Sequence, residues 1–525
     1  MADTNFINLS TVVTAPWLND INKKVYRHGS TPFFYNGVGD GVVDDTSAIQ
    51  AAVNAGYNVD LSNRPWKITS TINVPSNRII NLRGATINAA CGANPVFRAL
   101  SGPENITIEG SGLVFGTASA FLFVEGTTHQ PSSIVHYSRQ IRVKDLLVSS
   151  ATIGTFLYIS KAANEVFVDN CMVFTPNGIL SDGKGVEVHI TNSILYGATA
   201  AAGTKGIGLS STGGTSYFNE GWHIQNCTID NYQVGLDVKD IYVLAVTNCY
   251  IGGSDSAFTI RPPSTNLTED IAIHGNVIVG PIKFKTSAGT SYHAVLNGNV
   301  HLNMTGYAVD IELNAANIMV SSSKFKGGGG TAIAVRTSTA HNSICIKDLE
   351  IASDYAVGVQ CNITAGTGHS ISGLSGQPTE LLQLASKMVN VSGMPIYTAT
   401  GHALKNTYNT PDLQANVTVG SNISSLSVNC AKGETGVIDI SLGCTGMNAA
   451  TQRFQLTLPT GMVVPTGTGW SAIHMYPSAA GALVAQRIPY YCTQDISAGT
   501  LALQNAVGNT VTISSHSRFG ISRDW

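Results

Sequence analysis

Hydrophobic and polar residues alternate along most of the chain, and the alternating segments themselves recur. From about residue 66 to 375 the recurring unit is an alternating strand, then Asn with a short apolar run, then Gly and a second strand. The marker residues are Asn170, Asn192, Asn226, Asn248, Asn276 and Asn299, with Ser323 and Asp348 continuing the register. Successive markers are 22, 34, 22, 28, 23, 24 and 25 residues apart. One repeat therefore takes about 22 to 25 residues, and two repeats carry insertions.

A repeat of this length holds two or three short strands and no helix. Stacking similar coils into parallel sheets buries the apolar positions economically, which predicts a parallel β-helix. A marker Asn at each corner can form a side-chain amide ladder along the stack, because Asn tolerates left-handed backbone geometry. Cys171, Cys227 and Cys249 each follow a marker Asn, so we expect these thiols to stack on one another.

Different patterns precede and follow the repeats. Residues 1–31 have little core-forming pattern, and TVVTAPWLNDINKKVY within them suggests a short helix. In NGVGDGVVDDTSAIQAAVNAG, Asp45 or Thr46 is placed to cap an amphipathic helix, which then leads into the strands of a domain at 32–375. The coil pattern ends at about residue 375, and residues 376–405 are predicted to form a linker. Strands separated by Gly, Asn and Pro then predict an antiparallel β-sandwich at 406–525.

The composition is that of a turn-rich chain with little surface charge. Of 525 residues, 12% are charged, against about 25% in typical domains. A net charge of -3 gives no electrostatic reason to expect nucleic acid or a membrane as partner. We find no apolar run of about 18 residues and no secretory signal pattern. The nine Cys are scattered without a CxxC pair, so we expect no zinc site, no disulfide framework and no cofactor.

Two segments resemble known proteins. GDGVVDDTSAIQAAVNAG resembles the motif that opens the β-helix in the pectate-lyase-like superfamily, where the helix caps the first coil. TVVTAPWLNDINKKVY resembles the particle-attachment segment of phage tailspikes and capsule depolymerases. The resemblance implies an all-β, right-handed, single-stranded parallel β-helix that forms a homotrimer, with a C-terminal module that aids trimerisation or binds sugar.

The same resemblance implies a place of action. The N-terminal segment would attach the protein to a phage tail or to another tailspike. The protein would be made in the host cytoplasm, reside in the virion tail and act at the bacterial surface on capsular or O-antigen polysaccharide.

Membership of the superfamily leaves the chemistry open, because it contains both lyases and hydrolases. The polygalacturonase signatures NTD, GHG and RIK are absent from this chain. Arg261-Pro262-Pro263 is similar to the RxPxxR of calcium-dependent pectate lyases, but position 266 is Asn and not the second Arg. We therefore assign neither family's active site and no metal site.

Ionisable residues concentrate on one predicted face of the coils. Because side chains alternate along a strand, the second strand of each coil directs two neighbouring columns outward. One column contains Tyr158, Leu180, Asp237, Thr259, Lys283, Asp310, Ala334 and Gly358, and the other contains Ser160, Asp182, Lys239, Arg261, Lys285, Glu312, Arg336 and Gln360. In a chain with so little charge, this clustering predicts a functional face.

Two carboxylate clusters on this face are candidates for glycoside hydrolysis, which uses one carboxylic acid and one ionised carboxylate. The first is Asp237 and Asp240, with Asp182 expected one coil away. The second is Asp310 and Glu312, whose Cα atoms we expect about 6.5 to 7 Å apart, leaving room for a water.

Cations, rings and loops around these clusters are candidates for holding the sugar. The cations are Lys239, Arg261, Lys283, Lys285 and Arg336, and the rings are Tyr292, Tyr307 and His223, the last in a further column with Phe167 and His189. The cations can bind an acidic sugar or simply neutralise the carboxylates in a ladder of charge pairs. Insertions at 197–222 and 262–270 flank the coil of Asp237, which makes its cluster the preferred one.

Three functions are consistent with these residues. The leading hypothesis is endo-hydrolysis of a bacterial surface polysaccharide by paired carboxylates. The second is a metal-independent lyase for uronic acids, with Lys239, Lys283, Tyr292 or His223 as base and an Arg neutralising the carboxylate. The third is a receptor-binding fibre or adhesin, in which the charged face only recognises sugar.

Overall fold

The computed structural model describes most of the chain from residue 31 onwards. Residues 1–30, 56–57, 100–101, 129–136, 211–218, 262–267, 286–290, 303–305, 313–315, 338–341, 364–368, 377, 379, 385–388, 393–405, 410–421, 431–434, 446–452, 465–471, 476–482, 508–511, 514–517 and 525 lie outside the description. The predicted attachment segment at 1–31 and most of the predicted linker at 376–405 thus lie outside the described residues. The chain divides into two compact units, residues 1–295 and 296–525.

The described part of the first unit contains two short helices, which are followed by short strands. The helices are a 3₁₀-helix at Pro32–Tyr35 and α1 at Thr46–Ala55. The strands are β1 Asn58–Asp60, β2 Pro65–Ile68, β3 Ile72–Val74, β4 Arg78–Asn81, β5 Thr86–Ala90, β6 Phe97–Ala99, β7 Glu104–Glu109, β8 Leu113–Glu125, β9 Ser138–Lys144, β10 Leu147–Ser149, β11 Ile153–Ser160, β12 Ala162–Asp169, β13 Met172–Thr175, β14 Asn177–Ser181, β15 Lys184–Thr191, β16 Ile194–Gly197, β17 Lys205–Leu209, β18 Glu220–Gln225, β19 Thr228–Asp230, β20 Val234–Val238, β21 Val243–Thr247, β22 Tyr250–Gly252, β23 Ser256–Ile260, β24 Thr268–His274, β25 Val277–Val279, β26 Ile282–Phe284 and β27 Ser291–Asn297.

The second unit contains further coils and then an antiparallel module. Its coil strands are β28 Val300–Leu302, β29 Tyr307–Ile311, β30 Ala316–Ser321, β31 Lys324–Lys326, β32 Ile333–Thr337, β33 Asn342–Lys347, β34 Glu350–Ile351, β35 Val357–Cys361, β36 His369–Ser372, β37 Ser375–Gly376, β38 Glu380–Leu384 and β39 Val389–Ser392. The module contains β40 Asn406–Asn409, β41 Asn422–Cys430, β42 Thr435–Thr445, β43 Arg453–Thr457, β44 Met462–Val463, β45 Ala472–Met475, β46 Leu483–Cys492, β47 Ile496–Val507, β48 Thr512–Ile513 and β49 Arg518–Asp524.

Each coil of the first unit contributes to three parallel sheets. The first sheet pairs β1, β4, β7, β9, β12, β15, β18, β21 and β24 in this order; the second pairs β2, β5, β8, β10, β13, β16, β19, β22 and β25; the third pairs β3, β6, β8, β11, β14, β17, β20, β23 and β26. The long strand β8 belongs to both the second and the third sheet. The predicted parallel β-helix is therefore confirmed.

Apolar side chains at alternate positions fill the interior of the coils. Val166, Val188, Trp222 and Leu244 align across the first sheet, and all four are completely buried. Trp222 therefore belongs to the core of the coils. Burying each such side chain stabilises the fold by about 1.5 to 3 kcal/mol relative to leaving it exposed.

The predicted capping helix begins the first unit. The carbonyl of Asp45 accepts the first helical hydrogen bond, from the backbone N–H of Ile49 at 2.9 Å. Gln50 exchanges two hydrogen bonds with the backbone of Asn73 in β3, at 2.7 and 2.9 Å. The helix thereby provides hydrogen-bond partners for the backbone N–H and C=O of Asn73 at the edge of the sheet. Unpaired, these groups would offer a site for pairing with another chain.

The corners of the coils contain the predicted amide ladder. The Asn170 and Asn192 amides donate to Asp145 and Asp169 at 2.7 and 2.9 Å, and the marker Asn residues up to Asn248 have positive φ. In two later coils the residue with positive φ at this corner is a glycine, Gly275 or Gly298. Asn276 and Asn299 each follow that glycine by one position and are completely buried. The expectation that those two residues continue the marker position is therefore wrong, because Gly adopts positive φ without strain and replaces Asn there.

The predicted cysteine stack is only partly correct. The backbone N–H of Cys227 donates to Sγ of Cys249 at 3.3 Å, so these two residues lie on neighbouring coils. Ser193 occupies the coil between Cys171 and Cys227: its hydroxyl accepts from the Cys171 N–H and its carbonyl from the Thr228 N–H. All three cysteines are buried free thiols.

The C-terminal module packs two antiparallel sheets around one core. One sheet has the order β40, β49, β42, β46 and β44, and the other has the order β41, β47, β43 and β45. Buried residues from both sheets meet, among them Ile438 and Ile521 from the first and Leu456 and Leu503 from the second. A sandwich-like C-terminal module is thus present, as predicted. Within the described part of the chain, none of the helices has the length and apolar character that crossing a membrane requires.

Candidate functional site

The outer face of the third sheet in the first unit contains the candidate site. Its register aligns Arg98, Phe123, Tyr158, Leu180, Gly208, Asp237, Thr259 and Lys283 on successive strands. The predicted outward column is found from Tyr158 to Lys283, with one coil more than expected. Gly208 of β17 lies between Leu180 and Asp237 because β17 forms within the insertion that the sequence pattern assigned to a loop.

A stack of rings occupies the upstream end of this face. The Arg98 guanidinium lies 5.2 Å from the centre of the Phe123 ring, which stacks on Tyr158 at 5.3 Å. The Tyr158 hydroxyl donates to Oδ2 of Asp182 at 2.6 Å. Burial raises the pKa of the Tyr158 phenol, and its hydrogen bond with Asp182 raises it further, so the hydroxyl keeps its proton at neutral pH.

A second carboxylate beside this stack is paired with two cations. Arg98 and Lys161 contact the two carboxylate oxygens of Glu125 at 2.8 and 2.6 Å. Burial opposes the ionisation of Glu125, but the two cations outweigh it and lower its pKa. Glu125 thus anchors the cations and is a poor proton donor.

Downstream, Asp237 is held between two cations. Its carboxylate accepts from Nε of Arg261 at 2.5 Å and contacts Nζ of Lys205 at 2.6 Å. The Asp237 side chain is only 4% exposed, whereas Arg261 and Lys205 are 48% and 36% exposed. The hydrogen bonds with Asp237 raise the pKa of Arg261. The site thus presents two cations to solvent above a buried anion.

The other members of the first predicted cluster lie farther from Asp237 than expected or face inward. Asp182 follows β14, and β17 separates β14 from β20, so Asp182 and Asp237 are two coils apart and not one. Asp240 is completely buried at a turn with φ 57°, and Nζ of Lys239 lies 3.9 Å from its carboxylate. Asp182 is half-buried and contacts the Tyr158 hydroxyl on the outer face, so it is more accessible than Asp240 and is the better partner for Asp237.

The remaining cations on this face serve different contacts. Lys283 pairs with Asp255 at 2.8 Å. The backbone N–H of Lys285 donates to the Ile260 carbonyl at 2.8 Å, next to the end of β26. Lys239 is 37% exposed. Arg261 and Lys205 are therefore the cations seen in contact with Asp237, and Lys239 lies two residues after it in the chain.

The second predicted cluster belongs to the second unit and has a different arrangement. Arg336 donates to both oxygens of Asp310 at 2.8 Å, and its guanidinium lies 3.9 Å from the centre of the Tyr307 ring. The predicted alignment of Asp310 with Ala334 is wrong by two residues, because Arg336 is the partner of Asp310 and Ala334 is buried. Glu312 is half-buried just beyond the end of β29. The pairing makes Asp310 a structural anion.

We expect Arg336→Ala to lower the free energy of unfolding by about 2 to 3 kcal/mol, because it leaves the nearly buried Asp310 carboxylate without its bidentate partner. The measurement is urea unfolding followed by tryptophan fluorescence. Asp310→Asn is the matched control and should cost less, since the partly exposed Arg336 can be solvated by water. Equal losses in the two variants would contradict this account.

One predicted binding residue, His223, does not belong to this face, and another, Tyr292, has a side chain outside the described residues. His223 lies on the first sheet, where its ring stacks on His189 at 4.9 Å, and His189 stacks on Phe167 at 5.2 Å. The side chain of Tyr292 and residues 211–218 and 262–267 of the two insertions lie outside the described residues.

Sequence reasoning missed three contributors to the site, namely Lys205, Phe123 and Arg98. Lys205 opens KGIGL, an alternating segment within the insertion at 197–222, and that alternation was the signal for a further strand. Phe123 and Arg98 lie upstream of the marker residues, where no repeat had been aligned. Their contacts with neighbouring coils show that the face extends over more coils than the sequence indicated.

Comparisons with known proteins agree with the fold. Residues 177–345 match the family described as the right handed beta helix region. No curated protein matches the sequence. The solved structures that resemble the chain include the Streptococcus pneumoniae surface protein and adhesin PfbA, with 14% identity, 69% of this chain and 99% of that chain covered, and a TM-score of 0.40.

Two phage proteins resemble the chain as well. The pre-mature gene product 12 of bacteriophage phi29 has 14% identity over 73% of this chain and 60% of that chain, with a TM-score of 0.49. The tailspike protein of E. coli bacteriophage HK620, in complex with a pentasaccharide, has 11% identity over 99% of this chain and 97% of that chain, with a TM-score of 0.48. Likenesses at such identities and TM-scores carry no argument about the chemistry of this chain. The chain is a right-handed parallel β-helix followed by an antiparallel module, and its residues 177–345 match the family of right-handed β-helix regions.

Proposed function

We propose that this protein is a tailspike depolymerase. It binds a bacterial surface polysaccharide, capsule or O-antigen, on the outer face of the third sheet and hydrolyses internal glycosidic bonds of that polysaccharide. One observation carries the proposal. Two carboxylates, Asp182 and Asp237, lie on the same face of a rigid parallel sheet, two coils apart, between a stack of rings and a group of exposed cations. Groups on rigid strands hold the geometry that catalysis needs better than groups on loops.

The spacing of these carboxylates favours an inverting reaction. Two coils correspond to about 9 to 10 Å along the helix axis. Asp182 also lies two residues beyond the register partner of Asp237, which adds about 6.5 to 7 Å along the strand. Inverting glycosidases separate their carboxyl groups by about 6.5 to 9.5 Å to admit a water, so this wide spacing is nearer to the inverting than to the retaining arrangement. The retaining arrangement, with about 5 Å between carboxyl groups, would need residues on neighbouring coils.

The surroundings of the two carboxylates assign their roles. Asp237 contacts two cations, Arg261 and Lys205, and takes the part of the base that removes a proton from water. Asp182 takes the part of the acid that protonates the leaving glycosidic oxygen. A phenol oxygen accepts as well as donates, so the 2.6 Å contact with Tyr158 persists when Asp182 carries a proton.

The neighbouring side chains supply binding contacts for a sugar chain. Phe123 and Tyr158 offer apolar ring edges, and Arg261, Lys205 and Lys239 offer exposed N–H donors to hydroxyl or carboxylate oxygens. A sugar carboxylate can bind the exposed side of Arg261 or Lys205 as a charge-assisted hydrogen-bond acceptor. Acidic repeat units therefore suit this face.

A second candidate function, eliminative cleavage of a uronic acid, is favoured by one observation. Arg261 and Lys205 lie exposed on either side of Asp237, where they are placed to neutralise the carboxylate of a uronate. That neutralisation makes the adjacent C–H acidic enough for a base such as Lys239 to remove the proton. A C=C bond then forms as the bond to the glycosidic oxygen breaks, and the leaving oxygen takes up a proton.

The test is to incubate the full chain with purified capsule and O-antigen from candidate hosts, following reducing ends and ultraviolet absorbance together. We expect reducing ends to rise without absorbance. Asp182→Asn and Asp237→Asn should each lower the rate at least about 100-fold, as loss of a general acid or base does. Asp255→Asn, an exposed aspartate that pairs with Lys283 on the same sheet, is the matched control and should leave the rate unchanged.

The other outcomes decide between the alternatives. Rising absorbance would mean elimination in place of hydrolysis. Hydrolysis that both variants retain would place the catalytic groups elsewhere. Binding without any cleavage would make the protein an adhesin.

The biological setting follows from the resemblance of residues 11–26 to tailspike attachment segments. The N-terminal segment attaches the protein to a phage tail or to another tailspike, and the protein works as a homotrimer in the virion tail. Deleting residues 1–31 should then abolish incorporation into virions and leave depolymerase activity intact.

A further inference from the structure

The upstream end of the candidate site contains two cations around one carboxylate. Arg98 and Lys161 contact the two oxygens of Glu125 at 2.8 and 2.6 Å. Arg98 comes from the coil before Glu125, since β6 pairs with β8, and Lys161 comes from the coil after it, since it follows β11. The Glu125 side chain is only 14% exposed, whereas the two cations are 38% and 31% exposed. We call these three residues the upstream cation group.

The surroundings of Asp237 are built in the same way. Lys205 belongs to β17 on the coil before Asp237, and Arg261 follows β23 on the coil after it. Both cations contact the buried carboxylate and remain partly exposed. We call these three residues the downstream cation group.

Each group has a positive charge to spare. Two cations surround one carboxylate, and a guanidinium and an ammonium together offer more N–H donors than one carboxylate can accept. A nearly buried carboxylate can be held by a single cation, as the bidentate contact of Arg336 with Asp310 in the second unit shows. Each cation group can therefore bind a second anion from solvent through charge-assisted hydrogen bonds.

The two groups lie on opposite sides of Asp182. Glu125 lies on β8, Asp182 follows β14 and Asp237 lies on β20, so two coils separate Asp182 from each of the other carboxylates. At about 4.8 Å for each coil, the two groups are about 19 Å apart along the stacking direction. A polymer needs several sugar rings to reach from one group to the other, and it then passes over Asp182.

We infer that the substrate is an anionic polysaccharide and that two of its negative groups occupy the upstream and the downstream cation groups at the same time. The ligand is the polymer that Asp182 and Asp237 are proposed to hydrolyse, so the inference rests on the proposed function. Two anion sites bridged by one polymer bind more tightly than either site alone, because the second contact is intramolecular. The polymer is thereby held in place on both sides of Asp182. Carboxylates of acidic sugars or phosphodiesters supply the charge.

The first test compares a polysaccharide that the chain cleaves before and after chemical reduction of its carboxyl groups to alcohols. We expect the reduction to lower kcat/KM at least about 10-fold, since charged hydrogen bonds at both groups are lost. For a polymer that carries phosphate, removal of the phosphate with hydrogen fluoride is the corresponding treatment. Cleavage that still requires Asp182 and Asp237 but proceeds equally well on the uncharged polymer would overturn the inference and leave the proposed function intact.

Substitutions in the upstream cation group test its part. Arg98→Gln with Lys161→Gln should raise KM for the native polymer at least about 10-fold, because two charged hydrogen-bond donors are removed. If the unpaired Glu125 carboxylate prevents folding of this double variant, adding Glu125→Gln removes that charge as well. A folded variant that keeps the full preference for the native over the uncharged polymer would contradict the inference.

The matched control removes two cations from the first sheet. Arg139 and Lys144 of β9 form ion pairs with Glu104 and Glu109 on β7. Arg139→Gln with Lys144→Gln changes the net charge by the same amount and should leave KM unchanged. A similar rise in KM for this control would attribute the effect to the overall charge of the chain and would also overturn the inference.

A binding measurement tests the two groups even if no cleavage is found. The probes are galacturonic acid, a single anion, and polygalacturonate, a chain of such anions, titrated by calorimetry at low salt with concentrations expressed per uronate. We expect polygalacturonate to bind at least about 100-fold more tightly than the monomer, as bridged sites do. The upstream double variant should lose most of this gain. Equal affinities for the two probes, or a gain that the double variant retains, would refute simultaneous occupation of the two groups.

Discussion

Gly116→Ala is expected to prevent the upstream coils from stacking and to cost more than about 5 kcal/mol, or to leave no folded protein at all. Gly116 has φ +107°, a conformation that residues with a Cβ rarely adopt. A Cβ there would lie 2.0 Å from the carbonyl oxygen of Ala89 on the preceding coil. Ala89 and Gly116 are register partners in a parallel ladder, so neither backbone can move away without breaking the ladder.

The matched control separates the clash from the backbone strain. Gly203 also has a positive φ, +87°, but a Cβ built there meets nothing within 4 Å. Gly203→Ala should therefore cost only about 1 to 2 kcal/mol, the usual price of a left-handed alanine. Soluble yield, circular dichroism and urea unfolding distinguish the two variants. Similar losses for both would mean that the close approach of neighbouring coils is not the reason for Gly116.

The stability of the second unit is expected to fall steeply in acid because of His301. This side chain is completely buried and stacks on Phe325 at 4.5 Å. Neither ring nitrogen has a hydrogen-bond partner in the described part of the chain. Burial lowers the pKa of His301 from 6.5 to about 3, since the charged imidazolium cannot be solvated there.

The direction of the pH effect follows from proton binding. Below pH 6.5 the unfolded chain takes up a proton at His301, whereas the folded chain does so only near pH 3. The free energy of unfolding therefore falls with decreasing pH, by about 1.4 kcal/mol for each unit. The loss amounts to about 2 kcal/mol at pH 5 and about 4 to 5 kcal/mol at pH 3. Above pH 7 this contribution is fully present and constant.

Replacing the imidazole by a hydrocarbon tests this effect. His301→Leu should abolish that part of the pH dependence, and it should also stabilise the protein at pH 7 by removing a buried polar group without a partner. His293→Leu is the matched control, because His293 is exposed and pairs with Asp270 at 2.8 Å. Urea unfolding at pH 7 and pH 5 provides the comparison. An unchanged acid sensitivity in His301→Leu would assign it to other groups.

The coil architecture and its inward positions could be predicted because they depend on local patterns. The period-two alternation predicts that every second residue of a strand points into the coils, and Val188 and Trp222, which occupy such positions, are completely buried. The helix after Asp45 was predictable from its capping residues and apolar spacing, and it is found at Thr46–Ala55. These features need only the preferences of neighbouring residues, which the sequence contains directly.

The candidate site could be predicted only in part. The outward column from Tyr158 to Lys283 was correct apart from the extra coil at Gly208. The neighbours of each charge were not predictable, since Lys205 reaches Asp237 from a strand inside an insertion. Likewise, Arg336 meets Asp310 through a register two residues away from the expected one. Coil length varies between 22 and 34 residues, so alignment by marker residues accumulates such errors.

By itself, the sequence determined that this protein forms stacked coils with a capping helix, which residues point inward and that charge gathers on one side. Only the tertiary structure decided which charges neutralise one another and that Asp240 is buried while Asp182 reaches the surface. The physical reason is the range of the interactions. Alternation and helix capping act between residues a few positions apart, whereas contacts between coils join residues more than twenty positions apart through a backbone register. A slip of two residues in that register changes every outward neighbour, although it leaves the inward and outward pattern the same.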